Sequence, residues 1–402
     1  MRTFFVNAEL IFPDRITHGM LICSDGIIEY AGARSGAPAS LHPSDEVINC
    51  EGKYLSPGFV ELHTHGAGGA DFMDGTSEAF EKACLTHLEH GTTFLLPTAL
   101  SATKEEIFRS IDAFRQAKIS LEGRGPELYG LHIEGPYLNP AQCGAMSRKF
   151  LRTPLEEEYE EILSAGKGVL KRWTFAVEYP GADRFARRLV EEGILPSAGH
   201  SDAEYAQVLA AYLNGVTHVT HLFSCMSTIK RVGGFRHSGL LESAFCIPDM
   251  TVEIIADGCH IPTELLNMVY RLKGPEKTAL TCDSMRCAGQ NVRSSVLGSL
   301  ANGSPCIIED GVAKLPDRSA FAGSVATDDR LVRVMTKEAG VPLYDAVRMM
   351  TLTPAEIIGA SERFGSLEKG KDADLVLFDE NINIEKVFRK GKLLYTKKGC
   401  GR

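Results

Sequence analysis

Two histidines one residue apart, His63 and His65, close a short apolar run in the segment YLSPGFVELHTHGAGG, residues 54–69. Residues i and i+2 of a strand share a face, so both imidazoles can point at one spot while Thr64 turns away. Such a pair is half of a metal site, and it also arises by chance. What gives it weight is its company: Glu134 in LHIEGPYLNP, His200 in SAGHSDAEY, His221 in THVTHLF and Asp283 in TALTCDS. Zinc and related divalent ions take neutral imidazole and carboxylate ligands, and a catalytic site keeps one position open for water. Glu134, His200 and His221 therefore make a three-ligand set, with His63 and His65 free to complete it or to hold a second ion. Zinc is the expected metal and iron the alternative, since these donors suit both. Asp283 stands apart from the set. A carboxylate beside an activated water can take its proton as the oxygen attacks a carbonyl, then return that proton to a leaving amine.

The other histidines divide by position. His218 lies three residues before His221 on the same apolar run and should face the other way. His87 and His90 fall on a helical stretch, where packing or solvent explains them, and His132 shares a face with Glu134 as a supporting group at most. A separate segment, KRVGGFRHSG, gathers Lys230, Arg231, Arg236 and His237 in an acidic chain, which suggests an anion. His260, ending IADGCH, should join the same mouth, and Gly323-Ser324 is expected to open a helix whose free N–H groups help hold that anion.

Residues 55–360, which must position these groups, alternate apolar runs with amphipathic stretches. The runs are FVELHTH, TTFLLPTA, ELYGLHIEG, RWTFAVE, LPSAGHS, THVTHLF, TVEIIADGCH and TALTCDS, with helices expected at Ser77 to His90 and Lys104 to Lys118. Eight runs fit a (β/α)8 TIM-like barrel, and the polar candidates all lie at the C-terminal ends, where such a barrel places its active site. Residues 1–54 and 361–402 read differently, as short β-strands with Asp25-Gly26 as a hairpin turn. The two ends are expected to pair into one small β-sandwich domain beside an α/β catalytic barrel.

Composition narrows the partners. A net charge of −9 without a long basic run argues against nucleic acid or an anionic membrane surface. The eleven cysteines show no CxxC pairs, which suggests reduced thiols in a cytoplasm. No apolar run reaches the ~20 residues of a spanning helix, and the first residues lack a secretory h-region.

Taken in order, PGFVELHTHGAGG, LHIEGPYLN, SAGHS, THLFSCM, IADGCH, TCDS and FAGS resemble the amidohydrolase superfamily, within it the branch that deacetylates N-acetylated amino sugar phosphates. The resemblance covers nearly the whole chain. It implies a barrel with a small β-sandwich, Glu134, His200 and His221 as metal ligands, one or two ions depending on His63 and His65, and Asp283 as general base and acid. It further implies substrate contacts from Ala145 and Met146, Ser224 and Cys225, Arg236, Asp257 and His260, and Phe321, Ala322 and Gly323. The implied partner is a small phosphosugar, with N-acetylglucosamine 6-phosphate first and N-acetylgalactosamine 6-phosphate or an unphosphorylated N-acetyl amine as alternatives. A homodimer is also implied, with the loop arginine acting across the interface.

Three features depart from the family pattern: Ser224 replaces an asparagine, Met146 a histidine, and RHSG stands for REPG. They bear on the sugar and leave the metal chemistry alone. A cyclic-amide hydrolase of the dihydroorotase type is disfavoured because no bridging lysine ends the third or fourth strand. A catalytically dead barrel is disfavoured because every ligand is present.

Overall fold

The eight apolar runs become eight parallel strands in the computed structural model, which describes residues 2–37 and 42–398. One hydrogen-bonded ladder runs through Phe59–Thr64, Thr92–Ala99, Leu131–Glu134, Leu170–Phe175, Leu195–Ala198, His218–Val219, Thr251–Ile255 and Thr278–Thr281. The third run splits, with Glu127–Leu128 forming a separate short strand on Thr92–Ala99. These strands are buried on both faces, as expected of parallel sheets covered by helices. The two expected helices form at Ser77–Glu89 and Lys104–Ser120. Each starts at a threonine cap: Thr76 accepts from the Ala79 N–H, and Thr103 forms a reciprocal box with Glu106.

Between the first and eighth strands the ladder is open, and a buried side chain spans the gap. Glu61 accepts from the Thr281 hydroxyl at 2.6 Å, the Cys282 N–H at 2.8 Å and the His63 N–H at 2.7 Å. Just past the strand ends the backbone closes the ring, Asp283 N to His63 O at 3.1 Å and His65 N to Ser284 O at 2.8 Å.

The chain ends meet in one eight-stranded sheet, in the order Lys392–Thr396, Ile384–Arg389, Leu375–Phe378, Tyr54–Pro57, Arg2–Phe12, Arg15–Ser24, Ile27–Gly32, with Glu46–Asn49 also paired to Arg2–Phe12. It has its own core of Phe5, Leu10, Leu21, Leu55, Leu375 and Phe388. Asp25 and Gly26 turn its hairpin with φ of 50° and 84°, the left-handed pair that a two-residue hairpin loop requires.

One element was not expected. Ser294–Leu297, Ser304–Glu309, Val312–Lys314 and Phe321–Gly323 form a four-stranded antiparallel sheet over the barrel mouth. It corrects the reading of Gly323-Ser324 as a helix start. Gly323 ends a strand, Ser324 bridges to Ser284, and the next helix begins at Asp328. Among the described residues no helix is long and apolar enough to cross a membrane. Ten cysteines are free in the described residues, and the eleventh, Cys400, lies outside them.

Candidate functional site

Three of the polar candidates share one backbone device. His200, His221 and Asp283 each stand two residues past the end of a barrel strand, with left-handed φ of 48°, 27° and 44°. Such conformations cost about 1–3 kcal/mol each and persist only where the surroundings enforce them. Here they swing the side chains inward over the barrel axis. Gly199 makes the turn before His200 possible, since a Cβ there would sit 2.7 Å from Thr174 and 2.8 Å from Thr220. Glu134 is the last residue of its strand, His63 lies within the first strand and His65 just beyond it.

The groups converge on one point. Glu134 Oε1 lies 3.1 Å from His200 Nε2 and 2.9 Å from His221 Nε2, and those two nitrogens are 3.1 Å apart. Glu134 Oε2 lies 3.4 Å from His63 Nε2 and 3.3 Å from His65 Nε2. Asp283 Oδ1 approaches the same two nitrogens, at 3.5 and 3.1 Å. Glu134 thus stands between two pairs of imidazoles, one pair on each oxygen.

Tautomers decide what such closeness means. His200 Nδ1 is 2.7 Å from the carbonyl of Gln142, to which it can only donate, so its Nε2 carries a lone pair. His63 Nδ1 donates to Glu253 at 2.8 Å, which leaves its Nε2 bare, and that atom and Glu134 Oε2 have no hydrogen-bond partner. Lone pairs aimed at a carboxylate 3 to 3.5 Å away repel unless positive charge lies between them. Protons are one source of that charge. Burial works against a charged His63 ring, but Glu134, Asp283 and Glu253 outweigh it and hold its pKa up at about 10. The same contest leaves His65 at about 9, with Asp283 and Glu134 overcoming burial. Burial alone would raise Glu134 and Asp283, yet the His63 charge and the imidazole hydrogen bonds hold both below the usual carboxylate range. A divalent cation is the other source, and His63, His65 and Glu134, and Glu134, His200 and His221, are each spaced to hold one.

Charged residues inside apolar strands, passed over in the sequence, support this floor. Glu253 takes both guanidinium nitrogens of Arg172, at 2.6 and 2.9 Å, besides the His63 ring and the His221 N–H at 3.2 Å. Arg172 and Glu253 are wholly buried. Their signal was an arginine within RWTF and a glutamate within TVEII. His132 bonds Thr98 and Thr174 and packs edge-on against His63, a supporting place as expected. His218, expected to face away, also turns inward and lies 3.5 Å from Glu253. The strand ends at Val219, so its alternation does not carry through to His221.

Above the floor is a cavity of about 220 Å³ lined by His65, Glu134, His200, His221 and Asp283. Ala145, Met146, Ser224, Cys225, His260, Phe321, Ala322 and Gly323 line it too. Two expected contacts do not. Asp257 is buried behind His260, accepting from its ring at 2.8 Å and from its N–H at 2.8 Å, so it aims that histidine. Arg236 is exposed on the hairpin Lys230–Val232 and Phe235–His237, away from the lining. Within that cluster Lys230 is tied to Asp202 and His237 to Glu204. No lysine or arginine lines the cavity, so no bridging lysine competes with Glu134.

Comparison with known proteins agrees with this geometry. Residues 54–394 match the Amidohydrolase family. N-acetylglucosamine-6-phosphate deacetylase of Haemophilus influenzae is 32% identical over 355 residues, 88% of this chain and 90% of that one. N-acetylgalactosamine-6-phosphate deacetylase of a Shewanella species is 30% identical over 97% of this chain and 95% of its own length. An aspartate-to-alanine mutant of the Mycobacterium smegmatis N-acetyl-D-glucosamine-6-phosphate deacetylase, solved with N-acetyl-D-glucosamine-6-phosphate, superposes with a TM-score of 0.88. It is 29% identical, with 98% of this chain and all of that one covered.

Proposed function

This chain belongs to the amidohydrolase family, and from that premise we propose that it hydrolyses the acetamide of N-acetylglucosamine 6-phosphate to glucosamine 6-phosphate and acetate. The observation that carries the reading is the meeting of bare imidazole nitrogens around Glu134, with Asp283 beside them, at the floor of a cavity large enough for the acetamide end of a sugar.

In this reading Glu134, His200 and His221 hold one divalent ion, zinc first and iron as the alternative, and His63 and His65 provide for a second. An ion so held supplies the charge that polarises the acetamide carbonyl and acidifies the attacking water. Asp283 takes the proton of that water as its oxygen bonds the carbonyl carbon. It then delivers the proton to the sugar nitrogen as the C–N bond breaks. His63 and His65 stand against Asp283 Oδ1, at 3.5 and 3.1 Å, and position that carboxylate. His260, aimed by Asp257, faces the same cavity and is suited to a sugar hydroxyl or the carbonyl oxygen. Ala145, Met146, Ser224, Cys225, Phe321, Ala322 and Gly323 enclose the sugar.

The phosphate calls for a lysine or arginine, and neither lines the cavity. We assign it to Arg236 acting from the second protomer of a homodimer. The hairpin's exposure supports this, with Phe235 77% and Val232 56% accessible beside Arg236 in the single chain. The expected barrel of residues 55–360 is narrowed to 58–360, and the small β domain takes residues 1–57 with 361–402, because Tyr54–Pro57 pairs in the terminal sheet and Leu55 lies in its core. Ten free cysteines among the described residues favour a cytoplasmic setting.

The second reading is the same chemistry on N-acetylgalactosamine 6-phosphate, favoured by the Shewanella relative and by Met146 and Ser224 at the sugar wall. Acetate release from both phosphates and from unphosphorylated N-acetylglucosamine decides. The proposal expects kcat/KM highest on N-acetylglucosamine 6-phosphate; a higher value on the galactosamine ester moves the assignment to it, and no acetate from any substrate overturns the deacetylase reading.

A further inference from the structure

We propose that His87, Cys282 and Asp328 form a second, closed cation site of the zinc type behind the cavity floor, stapling the seam between the first and eighth barrel strands. The inference does not rest on the deacetylase reading, and the site shares no residue with the imidazole and carboxylate groups at the mouth.

One ligand atom from each of these side chains lies within 4.8 Å of the other two, and all three residues are fully buried. In a tetrahedral site with bonds of about 2.0 Å to nitrogen and about 2.3 Å to sulfur, ligand atoms sit roughly 3.3–3.8 Å apart. A contraction of roughly 1 Å, within reach of side-chain rotation, would close this cluster on an ion.

The hydrogen bonds fix which atom of His87 is offered. Ser284 Oγ donates to the Gly66 carbonyl at 2.9 Å, so it accepts the proton of the Thr64 hydroxyl, 2.9 Å away. Thr64 Oγ1 in turn accepts from His87 Nε2 at 2.9 Å. The proton of the His87 ring is therefore on Nε2, and Nδ1 holds a bare lone pair with no partner. Across from it, Asp328 takes the Thr92 hydroxyl on Oδ2, while its buried Oδ1 has no partner either. Buried polar atoms are satisfied as a rule, so two orphans on residues clustered with one thiol call for an explanation.

Charge supplies one. A divalent ion with one thiolate, one carboxylate and one neutral imidazole is neutral overall, the state that a buried position tolerates. Without an ion, burial keeps the Cys282 thiol and the Asp328 acid protonated and holds the His87 ring down at about 3, so the cluster is again neutral. Loading then exchanges two protons, one from sulfur and one from the carboxyl, for one M²⁺.

The location gives the site a purpose. Cys282 follows the eighth strand and precedes Asp283, while His87 holds Thr64 between His63 and His65. Asp328 starts the helix that follows the four-stranded insert. An ion here would tie together three segments at the seam where no ladder does so.

Cobalt tests this, because a thiolate bound to Co²⁺ gives a near-ultraviolet charge-transfer band that imidazole and carboxylate ligands do not. The full chain is produced in minimal medium with cobalt in place of zinc, and its spectrum and cobalt content are measured. Cys143 and Cys225 line the mouth cavity, so the control is a Cys143→Ser, Cys225→Ser double variant. The band is expected in the wild type and in this control. It should vanish in Cys282→Ser with the loss of one cobalt per chain, and His87→Gln, which keeps the thiol, should lose the same equivalent. Absence of the band in the wild type, its loss in the mouth control or its survival in Cys282→Ser overturns the proposal. The wild-type and control spectra decide even if a core variant misfolds.

Discussion

Replacing Glu253 by glutamine tests whether a buried carboxylate organises the floor of the site. The side chain accepts from both guanidinium nitrogens of Arg172, the His63 ring and the His221 N–H at 2.6 to 3.2 Å, with His218 Nε2 a fifth neighbour at 3.5 Å. Glutamine is nearly the same shape but offers one acceptor oxygen and turns an N–H2 toward donors. More importantly, the Arg172 charge, wholly buried, loses its counter-ion. Removing one partner of a buried pair costs about 3–5 kcal/mol, a large part of the 5–15 kcal/mol typical of a domain. The remaining Arg172 partners, Ser197, Thr220 and the Leu62 carbonyl, are neutral and cannot restore the charge balance. Urea unfolding of Glu253→Gln should therefore show that loss. Adding Arg172→Met should restore stability by about 2 kcal/mol or more, because the uncompensated charge is gone. His63 also loses the acceptor that fixes its tautomer, so metal affinity should fall about 10–100-fold, the usual effect of removing an outer partner. If the two substitutions add to within about 0.5 kcal/mol, as independent sites do, and metal affinity is unchanged, the reasoning about this network is wrong.

Asp283→Asn should lower kcat by about 10²–10⁴-fold, the usual share of general acid–base catalysis, with metal content by elemental analysis unchanged. Arg236→Ala should raise KM for the phosphorylated substrate roughly 10–100-fold, as befits losing a charged hydrogen bond of about 1.5–3 kcal/mol, and leave KM for the unphosphorylated sugar alone. Burial pushes the Asp374 carboxyl up to about 7, against the Lys390 N–H bond and the Arg389 charge, which pull it down. A raised carboxyl stabilises the fold fully below its unfolded pKa near 4 and loses that contribution as pH climbs to 7. Between those limits the wild type should lose up to about 1.4 kcal/mol of stability per pH unit relative to Asp374→Asn in urea titrations at several pH values. Parallel curves for the two proteins would contradict this.

Much of the barrel could be read from sequence because two signals coincided: eight short apolar runs, and a polar residue of ligand type at the end of six of them. His200, His221 and Asp283 were found that way, and their shared left-handed turn explains why the pattern repeats. The four-stranded insert was not legible, since its strands are short, broken by serine, glycine and proline, and mostly half-exposed. Arg172 and Glu253 were missed because each reads as a flaw in an apolar strand until its partner, 81 residues away, is known. His218 misled the alternation argument because its strand is two residues long. Asp257 was grouped with the lining residues on resemblance, and burial puts it behind His260; Arg236, expected to act across a dimer interface, sits on an exposed hairpin.

The most direct test of the account is a titration of the chelator-stripped protein with zinc, following bound metal and acetate release from N-acetylglucosamine 6-phosphate together. Turnover should be absent without metal, return as the sites at Glu134 fill, and stay absent at any zinc concentration in Glu134→Ala. Full activity in the stripped protein, or recovery in that variant equal to wild type, would contradict it.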